Sequence, residues 1–151
     1  LVPLYSEYAK THGHVIDYHI WHKPNAIPFT SNTFKSDVEY IVLIYNKGRY
    51  MVQTHNQSDY SKVYTRPLLT NPETKFHPTE KPMELIIKYV TLLSHDSGII
   101  SDPFLGSGTT MIACENTGRK CRGIEISPDY CAVVLERFKE ATGKEPERIN
   151  E

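Results

Sequence analysis

The pattern of apolar and polar positions divides the chain into two strand-like runs followed by a regular alternation of helix and strand. Apolar residues within 1–10 have helical spacing, whereas 14–21 and 38–45 are rich in β-branched and aromatic side chains and predict strands. The run at 38–45 is almost continuously apolar, so we predict a strand that is buried on both faces. Residues 24–36 carry two prolines among small polar residues and are predicted to form a loop.

From residue 82 onward, helices and strands alternate. Apolar residues at helical spacing predict helices over 83–94, 109–116 and 128–141, and short apolar runs predict strands over 98–101 and 121–126. Two strands joined by one helix are typical of a βαβ unit, in which the strands are parallel and the helix covers the sheet. The pattern therefore predicts an α/β protein.

Composition restricts the domain number and the cellular compartment but does not indicate a function. The 151 residues suit a single domain, and no run approaches the roughly 18 apolar residues of a membrane span. The three cysteines are odd in number and lack the spacing of metal ligands, which favours a reducing compartment. We therefore expect a cytoplasmic protein with no membrane partner and no metal site.

A mildly basic segment lies in the middle of the chain, although the formal net charge is −1. Between residues 47 and 81 there are six basic residues (47, 49, 62, 66, 75 and 81) against three acidic ones (59, 73 and 80). With its tyrosines, the segment could contact DNA phosphates and stack on bases. A solvated connecting loop explains the charge equally well, so both interpretations stay open.

A glycine turn between strand and helix is the most informative chemical feature. Gly106 and Gly108 lack a Cβ atom and let a ligand approach the backbone closely. The helix that follows directs its first N–H groups toward the turn, which suits a carboxylate. Glu125, predicted at the carboxyl end of the next strand, could accept both hydroxyls of a ribose. This predicts a cofactor pocket, with a purely structural turn as the alternative, and it is not the triphosphate-binding pattern.

Three motifs resemble those of the DNA amino-methyltransferases. Residues 102–110 match the family's D-P-F-x-G-S-G-T-T stretch, 77–82 match H-P-T-E/Q-K-P, and 123–125 match G-I-E, in the family's order. The resemblance is strongest over 77–138 and extends more weakly to residues 21–25 and 39–45.

The resemblance implies a Rossmann-like S-adenosylmethionine-dependent methyltransferase fold, an open and mainly parallel sheet with helices on both faces. It implies S-adenosyl-L-methionine as cofactor, double-stranded DNA as substrate, and methyl transfer to adenine N6 or cytosine N4, in a restriction-modification or phage setting. One domain would comprise the remainder of a catalytic half (1–48), a short possible target-recognition segment (49–76) and a cofactor half (77–151). The cofactor residues that it implies are His77, Thr79, Lys81, Asp102, Pro103, Phe104, Gly106, Ser107, Gly108, Thr109 and Glu125.

The sequence departs from the family at the catalytic signature, which is Asp, Asn or Ser followed by two prolines and an aromatic residue. No such tetrapeptide occurs, and residues 127–130 lack the second proline and are interpreted as a helix cap. In family order the signature and its strand would precede Leu1, so we expect cofactor binding with little or no methyl transfer. The unpaired sheet edge would favour a homodimer or a complementing upstream fragment.

Two alternatives of other classes remain. One is a non-catalytic remnant that binds cofactor or DNA, and the other is an α/β domain whose glycine loop holds a different nucleotide. Trp21 and Phe29 are predicted to pack in the core rather than against a flipped base, and one alternative places Asn25 at the DNA-side cleft. We interpret four histidines as solvated or core residues: His12, His14, His19 and His22.

Overall fold

The computed structural model describes residues 2–27, 34–48, 60–68 and 81–149. The chain forms two compact units, Leu1–Leu68 and Leu69–Glu151. No helix in the described part of the chain is long and apolar enough to cross a membrane.

The first unit is a mixed three-stranded sheet with one helix packed on it. Helix α1 (Val2–Thr11) precedes strands β1 (His14–His22), β2 (Val38–Asn46) and β3 (Val63–Thr65), and the sheet order is β2-β1-β3. Strands β1 and β2 are antiparallel along their whole length, and β3 runs parallel to the end of β1. The two predicted strands are confirmed.

Two details of the first unit differ from the sequence expectation. Strand β2 is not buried on both faces: Val38 is exposed, and Tyr40 is 65% exposed. The reason is that β2 is the outer strand of the described sheet and pairs only with β1 there. Strand β3 was not predicted, because three residues are too few to show a period and their pairing comes from tertiary contact.

Hydrogen bonds close the carboxyl end of the β1–β3 pair. The Trp21 side chain is 2% exposed, and its indole N–H donates to the Arg66 carbonyl oxygen at 2.9 Å, so core packing is confirmed. The Asn25 side-chain amide donates to the Leu68 carbonyl at 3.2 Å and accepts from the Leu68 N–H at 2.6 Å. Asn25 therefore holds the chain after β3, while Phe29 lies outside the described residues.

The second unit contains the predicted βαβ arrangement. Its elements are α2 (Met83–Leu93), β4 (Ile99–Asp102), α3 (Thr109–Asn116), β5 (Lys120–Gly123) and α4 (Pro128–Thr142). Strands β4 and β5 are parallel, so two of the three strand pairings among the described residues are parallel. Its buried apolar side chains come from all three helices and from the loop after β4: Leu85, Val90, Leu92, Leu105, Ile112, Ala113, Cys114 and Val134.

The position of Glu125 is a correction. The sequence predicted a strand over 121–126, but β5 ends at Gly123 and Glu125 lies in the following loop. Backbone pairing continues only as far as Ile124, whose N–H donates to the Asp102 carbonyl at 2.9 Å. Beyond it the chain turns into α4, where the Ser127 hydroxyl accepts the Tyr130 N–H at 3.5 Å and caps the helix.

Candidate cofactor site

The site begins where β4 ends at Asp102. One carboxylate oxygen of Asp102 accepts the Phe104 N–H at 3.0 Å, and its main-chain carbonyl accepts the Ile124 N–H. The first bond closes a short turn around Pro103, of the kind that Asp side chains stabilise. Asp102 therefore ends the strand and directs the loop away from the sheet.

Two glycines shape the loop before α3. Gly106 has φ of 57° and Gly108 has φ of 83°, in the left-handed region that favours glycine. The Gly108 N–H donates to the Leu105 carbonyl at 3.0 Å and closes a four-residue turn. A Cβ atom at Gly108 would lie 3.1 Å from both γ-carbons of Val134, so this position also requires the absence of a side chain.

Glu125 joins the loops that follow β4 and β5. Its Oε2 atom accepts the Gly106 N–H at 2.7 Å, and its Oε1 atom accepts the Ser127 N–H at 2.9 Å. These two backbone bonds orient the carboxylate, a group that accepts hydrogen bonds through both of its oxygens. A neighbouring thiol, Cys131 Sγ, donates to the Glu125 carbonyl at 3.6 Å.

A cleft of about 780 Å³ opens beside these loops. That volume lies within the usual range for small-molecule sites. Exposed apolar side chains flank it, with Phe104 at 89% and Ile126 at 96% exposure, while the first turn of α3 contributes Thr109 and Thr110. The cleft thus combines apolar surface, a carboxylate and the positive end of a helix.

Most of the predicted cofactor residues lie together. His77 and Thr79 lie outside the described residues. Eight of the other nine line the cleft: Lys81, Asp102, Pro103, Phe104, Gly106, Ser107, Thr109 and Glu125. The ninth, Gly108, caps α3 and is not among the lining residues. Their role in holding a cofactor stays a prediction.

Seven further residues line the cleft and were not proposed from the sequence: Ile86, Leu105, Thr110, Ile124, Ile126, Ser127 and Tyr130. Three of them lie inside the quoted motifs and could have been predicted from these: Leu105, Thr110 and Ile124. Ile126 and Ser127 directly follow a motif. Ile86 and Tyr130 come from helices α2 and α4, and only the tertiary fold brings them to the cleft.

The thiols of Cys114 in α3 and Cys121 in β5 are not suited to nucleophilic chemistry. Burial raises the pKa of Cys114, and it raises the pKa of Cys121 to about 12. Both groups are therefore protonated thiols near neutral pH and act as small apolar side chains. Cys114 is buried, whereas Cys131 is half-buried.

The fold and the cleft define the class of protein. A parallel βαβ unit, a glycine loop before the helix and an acid after the second strand form a Rossmann-like nucleotide site. The crystal structure of the M1.HpyAVI–SAM complex matches with a TM-score of 0.74 and 25% identity, over 91% of this chain and 69% of that one. The predicted Rossmann-like methyltransferase fold is confirmed.

The family follows from the sequence comparisons. Residues 1–136 match the model of the N6/N4 methyltransferase family, described as DNA methylase, so the chain belongs to that family. The type II methyltransferase M.ScaI of Streptomyces caespitosus is 35% identical over 80 residues, which are 53% of this chain and 26% of the relative. M.XycI of Xanthomonas campestris pv. cyanopsidis is 27% identical over 128 residues, 80% of this chain and 43% of the relative. The matched region thus spans less than half of these curated relatives.

Proposed function

We propose that the cleft of the second unit binds S-adenosyl-L-methionine. The observation that carries the proposal is the Glu125 carboxylate, which two backbone N–H groups orient beside a cleft of suitable volume. A carboxylate held in this way is the kind of group that accepts the two hydroxyls of a ribose. A complex of the related M1.HpyAVI with SAM supports the same ligand.

The lining residues divide naturally among the parts of this cofactor. Glu125 would take the ribose, the exposed side chains of Phe104 and Ile126 would contact the adenine ring, and the first turn of α3 would face the methionine carboxylate. Lys81 lies at the same cleft and adds a positive charge for that carboxylate. The bound cofactor would supply an electrophilic methyl group on a sulfonium.

We further propose that the complete enzyme methylates the exocyclic amine of adenine (N6) or cytosine (N4) in double-stranded DNA, within a restriction-modification system. A bond forms between the amine nitrogen and the methyl carbon, the bond from that carbon to sulfur breaks, and a proton leaves the nitrogen. Family membership and the similarity to type II methyltransferases support this substrate. S-adenosylhomocysteine is the second product.

For the present 151 residues we propose cofactor binding with little turnover. The sequence contains no Asp, Asn or Ser followed by Pro-Pro-aromatic, the family element that would orient the amine. Orientation of two reactants can account for a large part of a rate enhancement, so its loss should lower turnover without removing cofactor affinity. A separate polypeptide that supplies the signature, such as an upstream fragment, should restore transfer.

The first test compares ligands for the cleft. Calorimetric titration should show saturable binding of S-adenosyl-L-methionine and S-adenosylhomocysteine, and weaker binding of ATP. Asp102→Ala, which removes the bond to the Phe104 N–H, should weaken binding by roughly tenfold. Asp129→Asn, a change at an exposed acid outside the cleft lining, should leave the affinity unchanged.

The second test measures turnover. Transfer of a labelled methyl group to unmethylated DNA should be undetectable or very slow with this chain alone. Tighter binding of ATP than of S-adenosyl-L-methionine would replace the methyltransferase assignment with a nucleotide-binding one. Rapid methyl transfer would refute the proposal that turnover needs the missing signature.

A further inference from the structure

Arg137 of α4 has a buried guanidinium group that contacts the cofactor loop. The residue is 8% exposed, and its Nη1 atom donates to the Ser107 carbonyl oxygen at 2.7 Å. Arg137 is not among the residues that line the cleft. A buried cation is costly unless it is hydrogen-bonded, so this contact ties the helix to the loop.

A second contact from the same helix reaches the next residue of the loop. Val134, one turn before Arg137, packs against Gly108 so closely that a Cβ atom there would lie 3.1 Å from it. Val134 and Arg137 are the buried residues of α4. The buried face of this helix therefore supports two consecutive loop residues, Ser107 and Gly108.

The geometry of one peptide group connects these contacts to the cleft. The Ser107 carbonyl and the Gly108 N–H belong to one rigid plane. Arg137 holds the carbonyl, and the Leu105 carbonyl accepts the Gly108 N–H at 3.0 Å, so both polar groups of the plane are fixed. Gly108 is the residue that caps α3, and the orientation of this plane sets where the first turn of α3 points.

We infer that Arg137 is a positioning residue for the cofactor, acting through the Ser107–Gly108 peptide without touching the ligand. The inference rests on the proposed function, because it names a residue that prepares the same cleft. Arg137 keeps the helix N-terminus oriented before the ligand arrives, so that binding does not have to order the loop. Its loss should weaken binding even in a fully folded protein.

Arg119 provides a matched control. It is also 8% exposed, and its guanidinium donates to the Ser94 carbonyl at 3.1 Å and pairs with Asp96 at 3.0 Å. Arg119 directly precedes β5, at the opposite end of the β4–β5 pair from the cofactor loop. Replacing either arginine removes a buried guanidinium and its bonds to backbone carbonyls, but only one of these carbonyls belongs to the loop.

The experiment measures affinity for S-adenosyl-L-methionine by calorimetry in Arg137→Met, Arg137→Lys and Arg119→Met, at a temperature where circular dichroism shows each to be folded. Amide hydrogen exchange of residues 106–110 is recorded without ligand. We expect roughly tenfold weaker binding and faster loop exchange in Arg137→Met. Lysine keeps a donor and the charge and should recover most of the affinity, while Arg119→Met should bind like the unaltered chain.

The outcomes separate this inference from the proposed function. No binding by the unaltered, folded chain would overturn the proposed function itself. Normal binding by that chain together with equal affinities in Arg137→Met and Arg119→Met would overturn only the positioning role. Equal losses in the two variants would also overturn it, because a general effect of stability would then explain both. If Arg137→Met does not fold, the comparison of Arg137→Lys with Arg119→Lys decides in the same way.

Discussion

The two parallel strand pairs in the described part of the chain differ at their carboxyl ends. After β4 and β5, Phe104 and Ile126 are exposed beside a cleft. At the carboxyl ends of β1 and β3, Trp21 is buried and hydrogen-bonded to the Arg66 carbonyl, and Asn25 is bonded to the chain that follows β3. Both ends have the topology that often carries ligands in α/β proteins. Topology alone therefore does not determine which of them can hold one.

The difference lies in the polar groups that each end uses. The Asn25 side-chain amide donates to the Leu68 carbonyl and accepts from the Leu68 N–H. These two bonds join the chain after β1 to the chain after β3. The Glu125 carboxylate accepts two backbone N–H groups and lines the cleft. Gly106, which lines the cleft, adds no side chain to it. We call the end of β4 and β5, where Glu125 lines a cleft, the open end. We call the end of β1 and β3, where Trp21 and Asn25 bond to the chain that follows β3, the closed end.

The largest effect is expected at Glu125. In Glu125→Gln an amide NH₂ replaces one carboxylate oxygen, so one of the Gly106 and Ser127 N–H groups loses its acceptor and the ribose loses a charged partner. We expect the affinity for S-adenosyl-L-methionine to fall by roughly a hundredfold in calorimetry. Glu115→Gln, which affects only the ion pair with Lys144, should not change the affinity. Unchanged binding in Glu125→Gln would show that the open end does not depend on its carboxylate.

The next effect concerns the space at Gly108. Gly108→Ala combines a positive φ with contacts to Val134 at 3.1 Å, so we expect the free energy of unfolding to fall by about 3 kcal/mol. Gly118→Ala has φ of 70° with no atom within 4 Å of the added methyl and should lose only about 1 kcal/mol. Urea denaturation gives both values. Equal losses would mean that the packing of α4 against the loop contributes nothing.

A smaller effect is expected at the closed end. Asn25→Ala removes both bonds to Leu68, and because the site is exposed we expect a loss of about 1 kcal/mol. Asn25→Asp keeps the acceptor for the Leu68 N–H and should lose less. Trp21 is the one tryptophan of the sequence, so its fluorescence in urea reports on the first unit. Neither variant should alter cofactor affinity, and a large change in affinity would break the comparison.

The smallest effect is expected in how the contribution of Asp17 to the free energy of unfolding depends on pH. A hydrogen bond from Lys62, at 2.6 Å, holds the pKa of Asp17 below its ordinary value of 3.8. A lowered pKa contributes stability above the ordinary value, and this contribution is lost as the pH falls through the folded-state pKa. Lys62→Met should therefore cost a few tenths of a kcal/mol at pH 6, because Lys62 is largely exposed. In urea titrations the difference should vanish toward pH 2, and a difference that is constant with pH would contradict a charge effect.

The cofactor half was largely predictable because local chemistry determines it. Glycines at fixed spacing and a helix that must start after them predicted α3 at residues 109–116, as observed. The eight predicted site residues that line one cleft were implied by the resemblance to the family's motifs and not by local chemistry alone. The prediction that Glu125 lies within the strand was wrong, because β5 ends at Gly123. An apolar run does not show where backbone pairing stops, and here the Glu125 side chain accepts the backbone N–H groups of Gly106 and Ser127 instead.

The remaining features depend on contacts between distant residues. Strand β3 consists of three residues and is defined by its pairing with β1, which no local pattern reveals. The exposure of Tyr40 follows from the outer position of β2. Arg137 occupies one position of an ordinary amphipathic helix, and its bond to Ser107, thirty residues away, appears only once the chain is folded.

The central claim is that the open end of β4 and β5, and not the closed end of β1 and β3, holds the cofactor. The most direct measurement is amide hydrogen exchange of the unaltered chain with and without saturating S-adenosyl-L-methionine. We predict that the ligand slows exchange in residues 102–110 and 123–127 and leaves residues 20–25 and 63–68 unchanged. Protection of the second pair of segments without the first would contradict the account.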